Sequence, residues 1–470
     1  MRSTDSRLGA ADCRPARALR LLAAVLLFSL TGAAQPRFFT YPVYKTTLAN
    51  GLDVVVIETP EFKDVLSYNT MVLAGSRNET ERGQSGLAHL FEHILFRHRY
   101  QGRADGYSEA IRQLGAHNNA FTNFDVTYYH PLTFRANLER LAELEASRFT
   151  RLEFDEQIFK TETGAVLGEY RRISSDPQLK MEEEMLRAQF PRHPYGHTTI
   201  GFYQDVLEMP RHYQAALNFY RACYRPNNVV LVVAGDVKKD EVFAVAEKYY
   251  SGWQPAPPPQ VPAEGLPGGP QQRALAWPAE VAPRLFVSFR VPQFRSDSVE
   301  TAVGQLLAEL LVSKSAPLFQ KLRYQKQSAS ELEFYDGVAS YESFDPRLVT
   351  VSAQLYGQRL QKEGAVYFDE VLGDVAVALD ELKNFSARPE SAKVLAVLKS
   401  KYRYDFLAQL RSPADMARTF AWYYRFERDP QVLERLVATV ARLTPTDFDA
   451  YARKYFTPER RVVVTMAHGK

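Results

Sequence analysis

The chain has 470 residues, too many for one ordinary hydrophobic core, so at least two domains are expected. Hydrophobic residues make up 46% and charged residues 24%, the balance of a soluble globular protein rather than a disordered one. The formal net charge is only +3, and no Lys/Arg cluster is interleaved with aromatics, which argues against nucleic acid as a partner.

Arginines are scattered through the first twenty residues, and an apolar run from about Leu19 to Leu30 follows, closing on Gly32-Ala33-Ala34. A charged start, an apolar core and a small-residue exit predict a secretory signal peptide over residues 1–34, cleaved after Ala33 or Ala34. The alternative is an uncleaved membrane anchor, although the run is just short of a comfortable span. Cleavage would leave no membrane span. Cys13 would depart with the leader and leave Cys223 alone, so no internal disulfide is expected. Stability must then come from core burial, and the expected compartment is a bacterial periplasm.

The segment LSYNTMVLAGSR (66–77) reads as a strand, and GLAHLFEHILF (86–96) reads as a helix after it. That helix carries His89, Glu92 and His93 in an otherwise apolar run. Histidines four apart project from one helical face, one turn apart, and both can reach a single tetrahedral metal ion. Glu92 sits on the edge of the same face, where a carboxylate can take the proton of a water that the ion has acidified. The H-x-x-E-H order is a metallopeptidase signature. Two satisfied core histidines are the competing reading, but two in one apolar helix beside a carboxylate are costly to bury without a partner.

Residues 251–272, SGWQPAPPPQVPAEGLPGGPQQ, are rich in Pro and Gly and have no periodicity. They predict a linker over 253–272 between a domain at 35–252 and another at 273–470. The two stretches resemble each other. FYRACYRPNNVVLVVAGDV (219–237) and YARKYFTPERRVVVTMAHG (451–469) both read as amphipathic helix, aromatic, proline and β-branched strand. RLFVSFRVPQF (284–294) and TAVGQLLAELL (301–311) repeat the strand and helix of the first copy, without its histidines. The expected fold class is α+β, two homologous domains that each pack a mainly antiparallel sheet against helices.

The motif, its distance from the leader and the duplicated halves resemble the pitrilysin/insulinase family of zinc metallopeptidases, in particular the two-domain bacterial type related to mitochondrial processing peptidase. The resemblance implies a zinc cofactor and a third ligand, a Glu some 76 residues after the second histidine; Glu169 stands there. Glu162, seven residues earlier and on the same helical face, would be a carboxylate that orients a ligand histidine. Asn119, Ala120, Phe121 and Thr122 match an edge strand beside the zinc, to which a peptide substrate adds as a further strand. TTLANGLDVVVIE (46–58) matches the family's opening strand. HPYGHTTIG (193–201) matches another family segment; its Pro/Gly-rich loop marks His193 and His197 as structural or rim residues rather than ligands.

Family members also carry an Arg and a Tyr seven residues apart that bind substrate and polarise its carbonyl. Arg323 is in place, but Ser330 stands where the Tyr is expected, and its hydroxyl is too short to reach the same point. The implied function is an exported zinc endopeptidase acting on unfolded peptides. It would be the zinc-bearing subunit of a heterodimer whose paralogous partner supplies the Arg/Tyr pair, or otherwise a homodimer. The alternative is a non-catalytic assembly or binding subunit on the same fold. A structural zinc site fits poorly, because such sites are closed by four ligands, mostly cysteines. No glycine-rich phosphate loop follows a strand, so no nucleotide cofactor is expected.

Overall fold

The computed structural model describes residues 38–337 and 343–469; the expected signal segment, with Cys13 and the Leu19–Leu30 run, lies outside them. Among the described residues no helix is long and apolar enough to cross a membrane.

From residue 41 onward the described residues form one compact unit built on two sheets. The first sheet contains β1 (Val43–Thr47), β2 (Asp53–Glu58), β3 (Val65–Val72), β4 (Ala120–Thr122), β5 (Thr127–Tyr129), β6 (Leu132–Phe134) and β7 (Val229–Gly235). Its order is β1-β2-β7-β3-β5-β4, with β6 also paired to β3. The second contains β8 (Gln271–Trp277), β9 (Arg284–Val291), β10 (Ala329–Asp336), β11 (Arg347–Leu355) and β12 (Arg461–His468), in the order β8-β12-β9-β11-β10. The segment expected as one opening strand is a hairpin of β1 and β2. Its tight return uses Gly51 at φ +88, where a Cβ would meet the Asn227 side chain at 2.8 Å. The linker stretch carries no strand until Gln271, where β8 begins.

Five strands of the first sheet recur in the second, and β1 and β6 have no counterpart there. β2-β7-β3-β5-β4 in the first corresponds to β8-β12-β9-β11-β10 in the second. Each copy has one parallel pair, β2 with β7 and β8 with β12, and its other pairs are antiparallel. The mixed, mainly antiparallel fold class is as the sequence predicts.

Burial explains the composition of the central strands. β7, VVLVVAG, is buried at every position, which requires cover on both faces. Val229, Leu231 and Val233 join a core with Leu90, Phe91 and Ile94 of the Leu87–Phe96 helix and with Leu141, Leu144 and Phe159. The opposite face meets the Pro413–Glu427 helix, which comes from the second half of the chain. The exchange is reciprocal. Met181, Met185 and Leu186, on the Pro177–Gln189 helix of the first half, pack with Phe286, Leu348, Val462 and Val464 of the second sheet. Each half therefore lends a helix to the other half's sheet. Cys223 is buried and unpaired, a member of the first core.

Candidate metal centre

Two helices make the site. Leu87–Phe96 buries Leu87, Ala88, Leu90, Phe91, Ile94 and Leu95, and this apolar stripe turns His89, Glu92 and His93 to the other face. It opens on Gly86 at φ +93, a left-handed residue packed so tightly that a Cβ would lie 2.7 Å from the Ile200 carbonyl oxygen. The second helix, Glu156–Ile173, starts on Asp155, whose Oδ1 accepts from the Ile158 amide at 2.9 Å. It buries Phe159, Val166 and Tyr170, and its Glu162 and Glu169 face the first helix.

His89, His93 and Glu169 each offer one ligand atom, and the three atoms lie within 4.8 Å of one another. His89 Nε2 is 3.7 Å and His93 Nε2 is 3.8 Å from Glu169 Oε2. A tetrahedral ion with bonds of about 2.0–2.1 Å spaces its ligand atoms about 3.3–3.4 Å apart, so these residues fit such an ion with small side-chain shifts. Among the described residues no fourth His, Cys, Asp or Glu joins the group, which leaves a coordination position open, the pattern of a catalytic rather than a structural site.

The surroundings set the protonation states. His93 Nδ1 lies 3.4 Å from Glu162 Oε2, and Glu162 Oε1 accepts from Arg97 Nε at 2.8 Å. A proton on Nδ1 leaves the Nε2 lone pair on the Glu169 side. The His93 bond, with Arg97, holds the Glu162 carboxyl below its usual range, and the same bond raises His93. Burial, aided by neighbouring His93, lowers His89 to about 4 against the pull of Glu169, so His89 is neutral at ordinary pH. Glu92 is raised by burial, partly offset by the Thr122 hydroxyl, which donates to Glu92 Oε2 at 2.7 Å.

Thr122 ends β4, which is the last strand of its sheet and, among the described residues, pairs only with β5. The stretch expected as an edge strand is thus an edge strand, and also half of a hairpin. Asn119, just before it, accepts the Ala120 amide at 2.9 Å through Oδ1. The Phe121 ring packs against Tyr128, His130 and Trp422. Five polar residues named from sequence, namely His89, Glu92, His93, Glu162 and Glu169, thereby meet each other and the β4 edge.

Arg323 stands apart from this group. Its guanidinium donates to the Tyr356 hydroxyl, and the ring lies 5.9 Å from the guanidinium carbon. Ser330 Oγ is bonded instead to the Gln354 carbonyl at 3.2 Å. Tyr356 follows β11, across the pairing of Ala329 with Leu355, so it neighbours the Ser330 position in space without any fixed spacing in sequence. Sequence reasoning missed it for that reason. His193 Nε2 faces Asp345 Oδ2 at 3.2 Å and His197 is buried; neither belongs to the metal group.

Glu162→Gln keeps the shape of the side chain but loses the carboxylate that orients His93. It is expected to weaken zinc binding about 10–100-fold while leaving the circular dichroism spectrum unchanged, measured by chelator competition.

Comparison with known proteins places this geometry. The family model described as insulinase (peptidase family M16) matches residues 54–201, which include His89, Glu92, His93 and Glu169. The model described as peptidase M16 inactive domain matches residues 212–384. Over 457 residues the chain is 27% identical to zinc protease PqqE of Helicobacter pylori, covering 94% of this chain and 97% of that one. The crystal structure of a protease from Helicobacter pylori superposes with a TM-score of 0.77 at 25% identity, over 91% of this chain and 100% of the other. A peptidase M16 inactive domain from Pseudomonas fluorescens shares the fold, with a TM-score of 0.75 at 17% identity over 91% and 98% of the two chains. The chain belongs to the pitrilysin/insulinase family, peptidase family M16.

Proposed function

We propose that this chain is an exported zinc-dependent endopeptidase that cleaves unfolded peptides and works as a subunit of a dimer. The observation that carries the reading is the convergence of His89, His93 and Glu169 beside Glu92 and an open strand edge. A zinc ion held by the first three would supply a Lewis acid that acidifies a water and polarises a peptide carbonyl. Glu92 would take a proton on its carboxylate and pass it to the leaving amine. Thr122 fixes one of its oxygens for that task, and burial raises its affinity for the proton. The free edge of β4, reached from Asn119 through Ala120 and Phe121 to Thr122, would hold the substrate main chain as an added strand. Only an extended segment can pair in this way, which is the basis for unfolded peptides as the substrate class.

Arg323 would contact the substrate from the second half. Ser330 supports the reading that a paralogous subunit supplies an Arg/Tyr pair, making a heterodimer. The hydrogen bond from Arg323 to Tyr356 favours a second reading, in which Tyr356 provides the missing phenol and the chain acts as a homodimer. The charged, apolar and small-residue sequence of residues 1–34 supports export to a periplasm.

The test is cleavage of a quenched, unstructured peptide by the purified mature chain. Glu92→Gln is expected to lower kcat about 10²–10⁴-fold with zinc content unchanged. Retained activity would contradict the role of Glu92, and no cleavage by any preparation would leave the binding-subunit alternative. For the homodimer reading, Tyr356→Phe is expected to lower kcat about 10²-fold in the chain alone. A chain active only when mixed with a paralogue, and indifferent to that substitution, would support the heterodimer instead. Mass spectrometry of the periplasmic protein should find a mature N-terminus at Ala34 or Gln35; an intact Met1 terminus in a membrane fraction would support the anchor.

A further inference from the structure

The Leu87–Phe96 helix has no cap of its own, because its N-cap residue, Gly86, has no side chain. The missing acceptor comes from Glu79. Its Oε2 accepts the Gly86 amide at 2.8 Å and its Oε1 accepts the Ala88 amide at 2.7 Å. The side chain is fully buried. Ala88 is the residue immediately before His89, so this carboxyl group grips the backbone one peptide from a metal-site histidine.

The other end of Glu79 is equally fixed. It follows the short turn Ser76–Asn78, whose Ser76 and Arg77 amides donate to the Asn123 and Phe124 carbonyls at 3.3 and 2.7 Å. Those carbonyls lie in the turn between β4 and β5. A continuous path of bonds therefore runs from the substrate-strand hairpin through Ser76 and Arg77 to Glu79, and on to the start of the metal helix. The loop at 193–201 closes the socket: His197 Nε2 faces Glu79 Oε2 at 3.7 Å, and Gly201 is so close to Ser85 that a Cβ would lie 2.7 Å from its backbone. Asp205 holds Ser85 from the same side, with Oδ2 accepting from Ser85 Oγ at 2.7 Å and its amide at 3.2 Å. His197, the last residue of HPYGH and not part of the metal group, thus lines this socket.

We infer that Glu79 is a positioning residue that sets the metal helix in register with the β4 edge by capping its first amides. This rests on the proposed zinc peptidase reading for its consequence, but not for its geometry. Glu79→Gln keeps one acceptor oxygen and turns an NH₂ group toward the second amide, so one of the two bonds is lost whatever the ionisation of the carboxyl.

The test uses the mature chain with two readouts. In the metal-free protein, amide hydrogen exchange at residues 88–93 of Glu79→Gln is expected to accelerate about fivefold or more, with β7 unchanged. In zinc titration by chelator competition, the dissociation constant is expected to rise about tenfold or more. Asp449→Asn alters a carboxyl that holds the Ser386 amide and hydroxyl in the second half, far along the chain from the metal helix, and is expected to change neither readout. If Glu79→Gln does not fold, Glu79→Asp is measured in its place, with the same directions expected. Exchange at 88–93 equal to the wild type would overturn the inference. So would an unchanged zinc constant in a wild type that binds zinc. A wild type that takes up no zinc, with exchange accelerated in the variant, would overturn the zinc reading and leave the positioning role standing.

Discussion

The candidate site depends on one ten-residue helix that anchors in a core through an apolar stripe and carries two histidines and a carboxylate on its other face. Two imidazoles and a carboxylate cannot be turned inward without partners, because burying unpaired polar groups costs several kcal/mol by typical transfer values. All but one of the imidazole nitrogens face a carboxylate, whereas the buried His89 Nδ1 has no hydrogen-bond partner among the described residues. His93 leans on Glu162, Glu92 accepts from Thr122, and both histidines face Glu169. Removing any one element, whether the Glu156–Ile173 helix, the β4 hairpin or the socket at Gly86, would leave a charged or hydrogen-bonding group stranded. The chemistry and the packing are thus one constraint.

The duplicated architecture shows what the chemistry adds to the fold. The second sheet repeats the order of five strands of the first, and its Val299–Leu311 helix buries Ala302, Val303, Leu306 and Leu307 much as the metal helix buries its own stripe. That helix has no histidine. The halves remain bound because each covers the other's sheet with a helix, Pro177–Gln189 on one side and Pro413–Glu427 on the other. A central strand such as β7 can be apolar at every position only under that arrangement.

Much of this was legible in the sequence. Histidines four apart in an apolar helix announce a metal face because helical periodicity is local, and Glu162 and Glu169 share a face for the same reason. The repeat was visible because both copies close with helix, proline and β-branched strand. What was hidden depends on pairing between distant segments. Tyr356 reaches Arg323 only through the register of β10 with β11, and the sequence points instead to Ser330 by counting along the chain. Glu79 reads as one acid among many until the fold brings it beneath Gly86. The opening hairpin was also legible, because Asn50-Gly51 between two β-prone runs is a strong hairpin signal, and reading the segment as one strand overlooked it. The exchange of helices between the halves leaves no local periodicity at all.

The most direct measurement is X-ray absorption at the zinc edge on the zinc-loaded chain, beside Glu169→Gln. Two imidazole nitrogens and oxygen ligands at about 2.0–2.1 Å with no sulfur are expected, with a loss of affinity in the variant and no loss of the imidazole signal. A site with sulfur, a site lacking imidazole, or a folded chain that takes up no zinc would contradict it.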